Sequence, residues 1–502
     1  MEPKYEEFKN RIAEINDLRS AAAVLQWDQS TYMPAGGAQA RARQTATLGR
    51  LAHERFTDAA IGHLLADLKP FEESLPPDSD DASLIRVTRR DYERAVNVPA
   101  DFMAELQIHG ASSYDAWTKA RPANDFATMQ PFLEQSLDMS RQLADFFPGY
   151  EHIADPLIDF SDYGMKASTV RALFAALRKQ LVPIVEEIAS QPVPDDSCIH
   201  QHFPESQQIA FASEVARRFG FDFGRGRQDI SPHPYMTKFS LGDVRITIRT
   251  NEYDLNEGLF SMLHEAGHAL YEQGISQDLE ATPLANGTSA GVHESQSRMW
   301  ENLIGRSRGF WTYFYPKLQE EFKDQLADVS LDTFYRAINK VERSLIRTEA
   351  DEVTYNLHVM VRFDLELALL EGNLAVRDLP LAWNERYTSD LKVVPPNDSD
   401  GVLQDVHWYG GIIGGGFQGY TLGNLLSTQI YEAALKAHPD IPTEIENGEF
   451  DTLHRWLIQN IYVHGRKLTA PDLIERVTGG PTVIDSYVRY LRTKFGELYE
   501  LS

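Results

Sequence analysis

Leu255, Leu259, Met262, Leu263, Ala266, Ala269 and Leu270 recur at helical spacing, and the helix they predict is the element around which the rest of the chain must fold. Within it stands His264-Glu265-Ala266-Gly267-His268, an H-E-x-x-H pattern. Residues four apart share one helix face, so both imidazoles can reach a single ion while Glu265 is directed at a water beside it. The apolar stripe sets the two histidines beside a buried surface, away from the solvated face. A pair of satisfied core histidines with a solvated glutamate would give the same five letters, so the rest of the chain has to decide.

A catalytic zinc takes three protein ligands and keeps one position open for water. Two histidines therefore need a third ligand from elsewhere. In ATPLANGTSAGVHESQSRMWENLIG, Asn286-Gly287 marks a turn, and Val292, Met299 and Leu303 mark a second amphipathic helix. Glu294, near its beginning, is the candidate. Its alternative role is that of a first-turn acid interacting with the helix dipole.

Ahead of these helices the period changes. YMTKFSLGDVRITIRT, between His233 and Thr250, contains two β-prone runs around Leu241-Gly242-Asp243 and predicts a β-hairpin. Such a hairpin can pair with an extended peptide or can simply cover a helix. Elsewhere the pattern is helical: from Tyr5 to His53 with a turn at Met33 to Gly37, from about Leu84 to Phe147, from Ala167 to Ile188, and in the longest run from about Leu331 to Leu370. Leu68 to Ser83 is proline-rich and acidic and predicts an exposed connection, and QPVPDDSCIHQHFP predicts a loop. In the long run Arg347 and Asp351 would stand at i and i+4, a surface pair worth a few tenths of a kcal/mol. Gly401 to Asn424 combines His407, Trp408 and Tyr420 with many glycines. It is too apolar for a linker and lacks the strand and G-x-G-x-x-G arrangement of a nucleotide loop, so a mobile loop closing over a site is expected.

Composition removes other classes. With 48 basic against 74 acidic residues the chain carries a net charge of −26, which repels phosphate backbones and argues against nucleic acid as a partner. No apolar run is long enough to span a bilayer, and MEPKYEEFKN lacks the basic-then-apolar order of a secretory signal. The single cysteine, Cys198, excludes an internal disulfide framework. A cytoplasmic protein without membrane attachment is the expectation.

LQWDQSTYMP (Leu25 to Pro34), HPY (His233 to Tyr235), DVRIT (Asp243 to Thr247), HEAGH (His264 to His268), HESQS (His293 to Ser297), SLIR (Ser344 to Arg347) and GVLQDVHW (Gly401 to Trp408) follow one another in the order of the carboxypeptidase Taq family of metallocarboxypeptidases. The chain resembles that family along most of its length. The resemblance implies a mainly α-helical body with a deep groove and a small β element, related to neurolysin and angiotensin-converting enzyme, and a homodimer. The whole of 1–502 is expected to form one catalytic unit, with an N-terminal helical part of about 1–230 and a metal-site part of about 231–502. The resemblance also implies removal of single amino acids from peptide C-termini, with broad preference and poor handling of proline. One divalent ion per chain would serve it, zinc first, with cobalt or manganese as alternatives.

Carried over by position, His264, His268 and Glu294 are metal ligands and Glu265 is the general base. Arg347 receives the free C-terminal carboxylate of a peptide substrate, His407 and Tyr420 are transition-state donors, and His233, Asp243 and Arg245 line the substrate site. Two departures stand out: HPY replaces the common H-P-F, and FQGY at 417–420 replaces F-P-T-Y, which loosens the backbone at Tyr420. Two rival readings remain. One is an endo-acting or dipeptide-releasing oligopeptidase of the same fold. The other is a non-catalytic peptide-binding protein, against which Glu265 speaks, because a closed structural metal site needs no base.

Overall fold

The computed structural model of the protein describes residues 2–501, which are predominantly helical with one small sheet. The chain opens with α1 (Glu2–Thr31) and α2 (Ala38–Phe56), broken at Pro34 to Gly37 as the proline and glycines there predict. Phe8, Ile12 and Ile15 of α1 are buried with Leu64, Leu65, Leu68 and Ile85 in a cluster of their own. That cluster explains a departure from expectation. A helix covers Ala59–Ser74 and the next starts at Asp80, so the predicted connection from Leu68 to Ser83 shrinks to residues 75–79. Ile61, Leu64, Leu65 and Leu68 make an i, i+3, i+4, i+7 stripe, and burying it outweighs the one backbone hydrogen bond that Pro70 gives up.

The sheet has three strands, β1 (Gly226–Ile230), β2 (Tyr235–Ser240) and β3 (Asp243–Ile248), in the order β1-β3-β2. β2 and β3 form the expected hairpin, with Thr237 opposite Arg245. β1 runs parallel to β3; its GRQDI shows no run of β-branched residues, which is why the pattern passes over it. Val244, Ile246 and Ile248 belong to the main core, so Asp243, Arg245 and Thr247 point to the opposite face.

The main core gathers side chains from Val98 to Tyr499. Through it run α3 (Leu255–Gln273), α4 (Ala290–Arg298), α5 (Tyr355–Leu370) and α6 (Gln418–Ala437). The Asp254 carboxylate caps α3 by accepting from Asn256 N, and α4 continues into a π-helical turn at Met299–Ile304. A Cβ at Gly267 would stand 2.6 Å from Ser297 Cα and 2.7 Å from the Gln296 carbonyl oxygen. The missing side chain is what lets α3 and α4 cross backbone against backbone.

Two predicted segments are rebuilt by tertiary contacts. The expected helix from Leu331 to Leu370 is two helices, Leu331–Ile338 and α5, joined by irregular chain that includes a 3₁₀ turn at Arg347–Glu349. Asp351 does not meet Arg347. Its carboxylate accepts from the backbone N–H groups of Glu342, Val353 and Thr354, a local cap that competes with helix. Nor is Gly401 to Asn424 an open loop. It holds a 3₁₀ turn at Val406–Tyr409, and α6 begins at Gln418. The glycine stretch between them is tied down, with Ile413 N donating to Ser140 Oγ and the Gly415 carbonyl accepting from Ser161 and Gln418. Among the described residues no helix is long and apolar enough to cross a membrane.

Candidate active site

His264 and His268 stand one turn apart on α3, and α4 lays Glu294 against them. Glu294 Oε2 lies 3.8 Å from His264 Nε2 and 3.6 Å from His268 Nε2. Among the described residues this is the cluster whose metal-binding atoms all lie within 4.8 Å of one another. Tetrahedral coordination with bonds of about 2.1 Å sets ligand atoms roughly 3.4 Å apart, so the donor set fits a divalent cation.

The neighbours fix which lone pairs face inward. Glu301 Oε2 lies 2.8 Å from His264 Nδ1, and an ionised carboxylate only accepts, so Nδ1 carries the hydrogen and Nε2 is left with a lone pair. Glu272 Oε1 takes the Nε2–H of His293 at 2.8 Å. His293 Nδ1 is then an acceptor and receives the Nδ1–H of His268 at 2.6 Å, leaving the Nε2 lone pair of His268 facing Glu294. Lys238 on β2 completes that chain by donating to Glu272. Arg298 Nε holds the other oxygen of Glu294 at 2.8 Å.

Electrostatics follow this plan. Burial pushes Glu294 up, yet Arg298 and the two imidazoles outweigh it and hold the carboxyl far below the usual range. Glu301 is likewise buried, and Arg298 and His264 bring it down to about 2. His268 is lowered to about 4, mainly by burial. His264 is pushed down by burial but raised overall by Glu294 and Glu301, so a cation bound there would compete with its proton. Glu265 is pushed up to about 7 by burial first and by Glu294 second, against the pull of His264 and of a hydrogen bond with the Met236 backbone on β2.

A second wall faces this cluster. α6 carries Tyr420 one turn before Gly423, where a Cβ would stand 2.5 Å from Glu294 Cγ, so α6 and α4 also meet at close range. The Tyr420 hydroxyl lies 3.4 Å from His407 Nε2, so these two candidate donors stand together with the FQGY sequence in place. Arg347, 5% exposed, donates through Nε to Asp405 Oδ2 at 2.5 Å and through Nη1 to the Tyr355 hydroxyl at 3.0 Å. His407 Nδ1 lies 2.5 Å from Asp405 Oδ1. His233 is exposed, and its pKa is lowered by partial burial first and then by the charges of Arg249, His407 and Arg347.

Asp243 and Arg245 are not brought to the metal cluster. They lie on the sheet face turned towards α1, where Arg245 grips Asp243 through two bonds of 2.8 and 2.7 Å and stacks 4.2 Å from the centre of the Trp27 ring. Tyr32, just past the end of α1, reaches Asp229 and Ser30 of α1 reaches Tyr235, so residues of two quoted motifs, LQWDQSTYMP and DVRIT, clasp α1 to the sheet. Sequence reasoning missed Glu301, Glu272, His293 and Asp405. Only Asp405 left a local signal, as an acid two residues before a candidate histidine.

Comparison with known proteins identifies the family. A family model described as the carboxypeptidase Taq (M32) metallopeptidase matches residues 7–495. Thermostable carboxypeptidase 1 of Thermus thermophilus is 41% identical over 492 residues, 96% of each chain, and carboxypeptidase 1 of Bacillus subtilis is 35% identical over 499 residues, 99% of this chain and 98% of its own. The solved structure of an M32 carboxypeptidase from Deinococcus radiodurans is 48% identical, with a TM-score of 0.97 over 99% of this chain and 100% of that one.

Proposed function

The chain belongs to the carboxypeptidase Taq (M32) family of metallopeptidases, and from that premise we propose that it releases single amino acids from peptide C-termini at the site formed by His264, Glu265, His268 and Glu294. The observation that carries this reading is the three-ligand cluster with a buried glutamate beside it, together with the buried cation Arg347 in the group that Asp405, His407 and Tyr420 form. A divalent ion, zinc by preference for two imidazoles and one carboxylate, supplies Lewis acidity that polarises the scissile carbonyl and acidifies water. Cobalt or manganese would serve the same ligand set.

Everything else falls to the chain. Glu265, poised near neutrality, takes a proton from the attacking water and delivers it to the leaving amine. The Tyr420 hydroxyl donates towards the carbonyl oxygen as negative charge develops there. His407 Nε2 reaches the same region, as a donor when the ring carries both protons and as an acceptor for a peptide N–H when only Nδ1 is protonated. Of the five N–H groups of Arg347, Nε and one on each terminal nitrogen are directed at Asp405 and Tyr355. Nη2 also lies 3.4 Å from His407 Nδ1, and the guanidinium fork offers its remaining N–H hydrogens to the oxygens of a terminal carboxylate. His233 lines the approach to that fork.

Truncating one partner of a desolvated charge pair costs roughly 2 to 5 kcal/mol. Arg347→Ala is therefore expected to lower kcat/KM by about 30-fold to several thousand-fold while bound metal stays constant. Unchanged kcat/KM on free-acid peptides would reject Arg347 as the carboxylate receptor. The reading includes one catalytic unit spanning the chain, a homodimer, and work in the cytoplasm. The lone buried thiol of Cys198, raised to about 11 chiefly by burial, suits a reducing compartment. Sedimentation at micromolar concentration should give twice the chain mass, and a single-chain mass would exclude the dimer.

A further inference from the structure

Behind Arg347 lies a buried charge cluster that the metal chemistry does not use. Arg362 of α5 is fully buried. Its Nε donates to Asp405 Oδ2 at 2.8 Å, its Nη2 to Gln404 Oε1 at 2.8 Å, and its Nη1 to the His358 carbonyl at 2.9 Å. Asp405 is the same carboxylate that receives Nε of Arg347 and Nδ1 of His407. Gln404 Oε1 also accepts the backbone N–H of Arg347, so Gln404 ties the Arg362 guanidinium to the Arg347 backbone while Asp405 joins the two guanidinium groups.

Guanidinium groups stay charged in proteins, so two positive charges meet one carboxylate. The neighbouring ionisable groups of α5 do not restore the balance. Glu366 accepts from Trp408 Nε1 at 2.9 Å and is pushed up to about 8 by burial, which leaves it protonated at neutral pH. His358 is held well below its ordinary value by burial, and then by Arg362 and Arg347, and is neutral. One positive charge is left over in a region shielded from water, where an uncompensated charge is costly until a partner arrives.

We propose that Arg362 is a positioning residue for substrate capture: it compensates Asp405 from behind, so that Arg347 is aimed by that carboxylate and still offers its charge to the substrate. This rests on the reading that Arg347 receives the terminal carboxylate of the peptide. Without Arg362, Asp405 and Arg347 would neutralise each other, and an incoming carboxylate would meet no net charge. The arrangement differs from a simple structural salt bridge in one respect: its effect depends on the charge balance, so a second lesion that restores the balance should restore capture.

The test measures KM and kcat separately on an N-acylated dipeptide with a free carboxylate, using wild type, R362Q, R362Q/D405N and R347Q, with bound metal and thermal unfolding recorded for each. R362Q is expected to raise KM by at least about tenfold. R362Q/D405N, with one positive charge against none negative, is expected to recover most of that loss in KM, although kcat stays low because His407 has lost its anchor. Should R362Q fail to fold, the double variant, which leaves no unpaired buried carboxylate, carries the comparison against R347Q. A double variant whose KM is no better than that of R362Q, or no better than that of R347Q where R362Q does not fold, overturns the proposal. An R347Q protein with wild-type KM overturns instead the assignment of Arg347, and the two failures are thereby told apart.

Discussion

Glu265 stands next to His264 but outside the candidate ligand set, and so its loss would separate metal binding from chemistry. Glu265→Gln keeps the size of the side chain and removes its basicity. Metal content should stay near one equivalent while kcat falls by roughly 10²- to 10⁴-fold, the range for a positioned acid-base group. A variant that keeps more than about a tenth of the wild-type rate would remove Glu265 from that role. At this scale the sequence was legible where spacing within one helix set the geometry, as for His264 and His268. It was illegible where partners come from afar. Arg347 finds its acid 58 positions away in Asp405, whereas periodicity offered Asp351 four positions on. Glu301, which accepts from His264, lies within a π-helical turn that the apolar pattern does not reveal.

The ligands depend on how closely their helices cross. Gly267 lies inside the H-E-x-x-H segment and faces Gln296 and Ser297 on α4, two and three residues past Glu294. Its replacement by Ala drives a methyl group into backbone atoms that cannot swing aside. Overpacking of this kind costs about 1 to 3 kcal/mol. Because the displaced helix carries Glu294, Gly267→Ala should also weaken metal binding, an outcome checked by titrating metal into the apoprotein alongside thermal unfolding. Wild-type metal affinity with unchanged unfolding would show that the two backbones can part freely. The hairpin and the amphipathic helices were legible because each carries its own period. The breaks were not: the chain after Ile338 leaves the helix because Asp351 caps three backbone N–H groups, and Leu68 to Ser74 stays helical because Leu64, Leu65 and Leu68 are buried against α1.

For the whole molecule, a metal held by His264, His268 and Glu294 would tie α3 to α4 as well as serve as a reagent, since those candidate ligands come from both helices. A ligand that binds only the folded state stabilises it by mass action, by about 2.7 kcal/mol at a hundred times its Kd. Chelation should therefore lower the melting temperature and abolish hydrolysis together, and zinc or cobalt should restore both. Full activity with no detectable metal would contradict the ligand assignment. The overall plan, a helical body with a small β element, was legible chiefly through the ordered series of motifs. Two of those motifs supply contacts that hold the end of α1 against the sheet. The central claim is that the metal cluster and Arg347 act on one substrate end, and one experiment addresses it directly. Metal-loaded protein is given two peptides of identical sequence, one with a free C-terminal carboxylate and one amidated, and the products are weighed by mass spectrometry over time. The account predicts a ladder of single-residue losses from the free acid and almost no cleavage of the amide; efficient internal cleavage of the amidated peptide would contradict it.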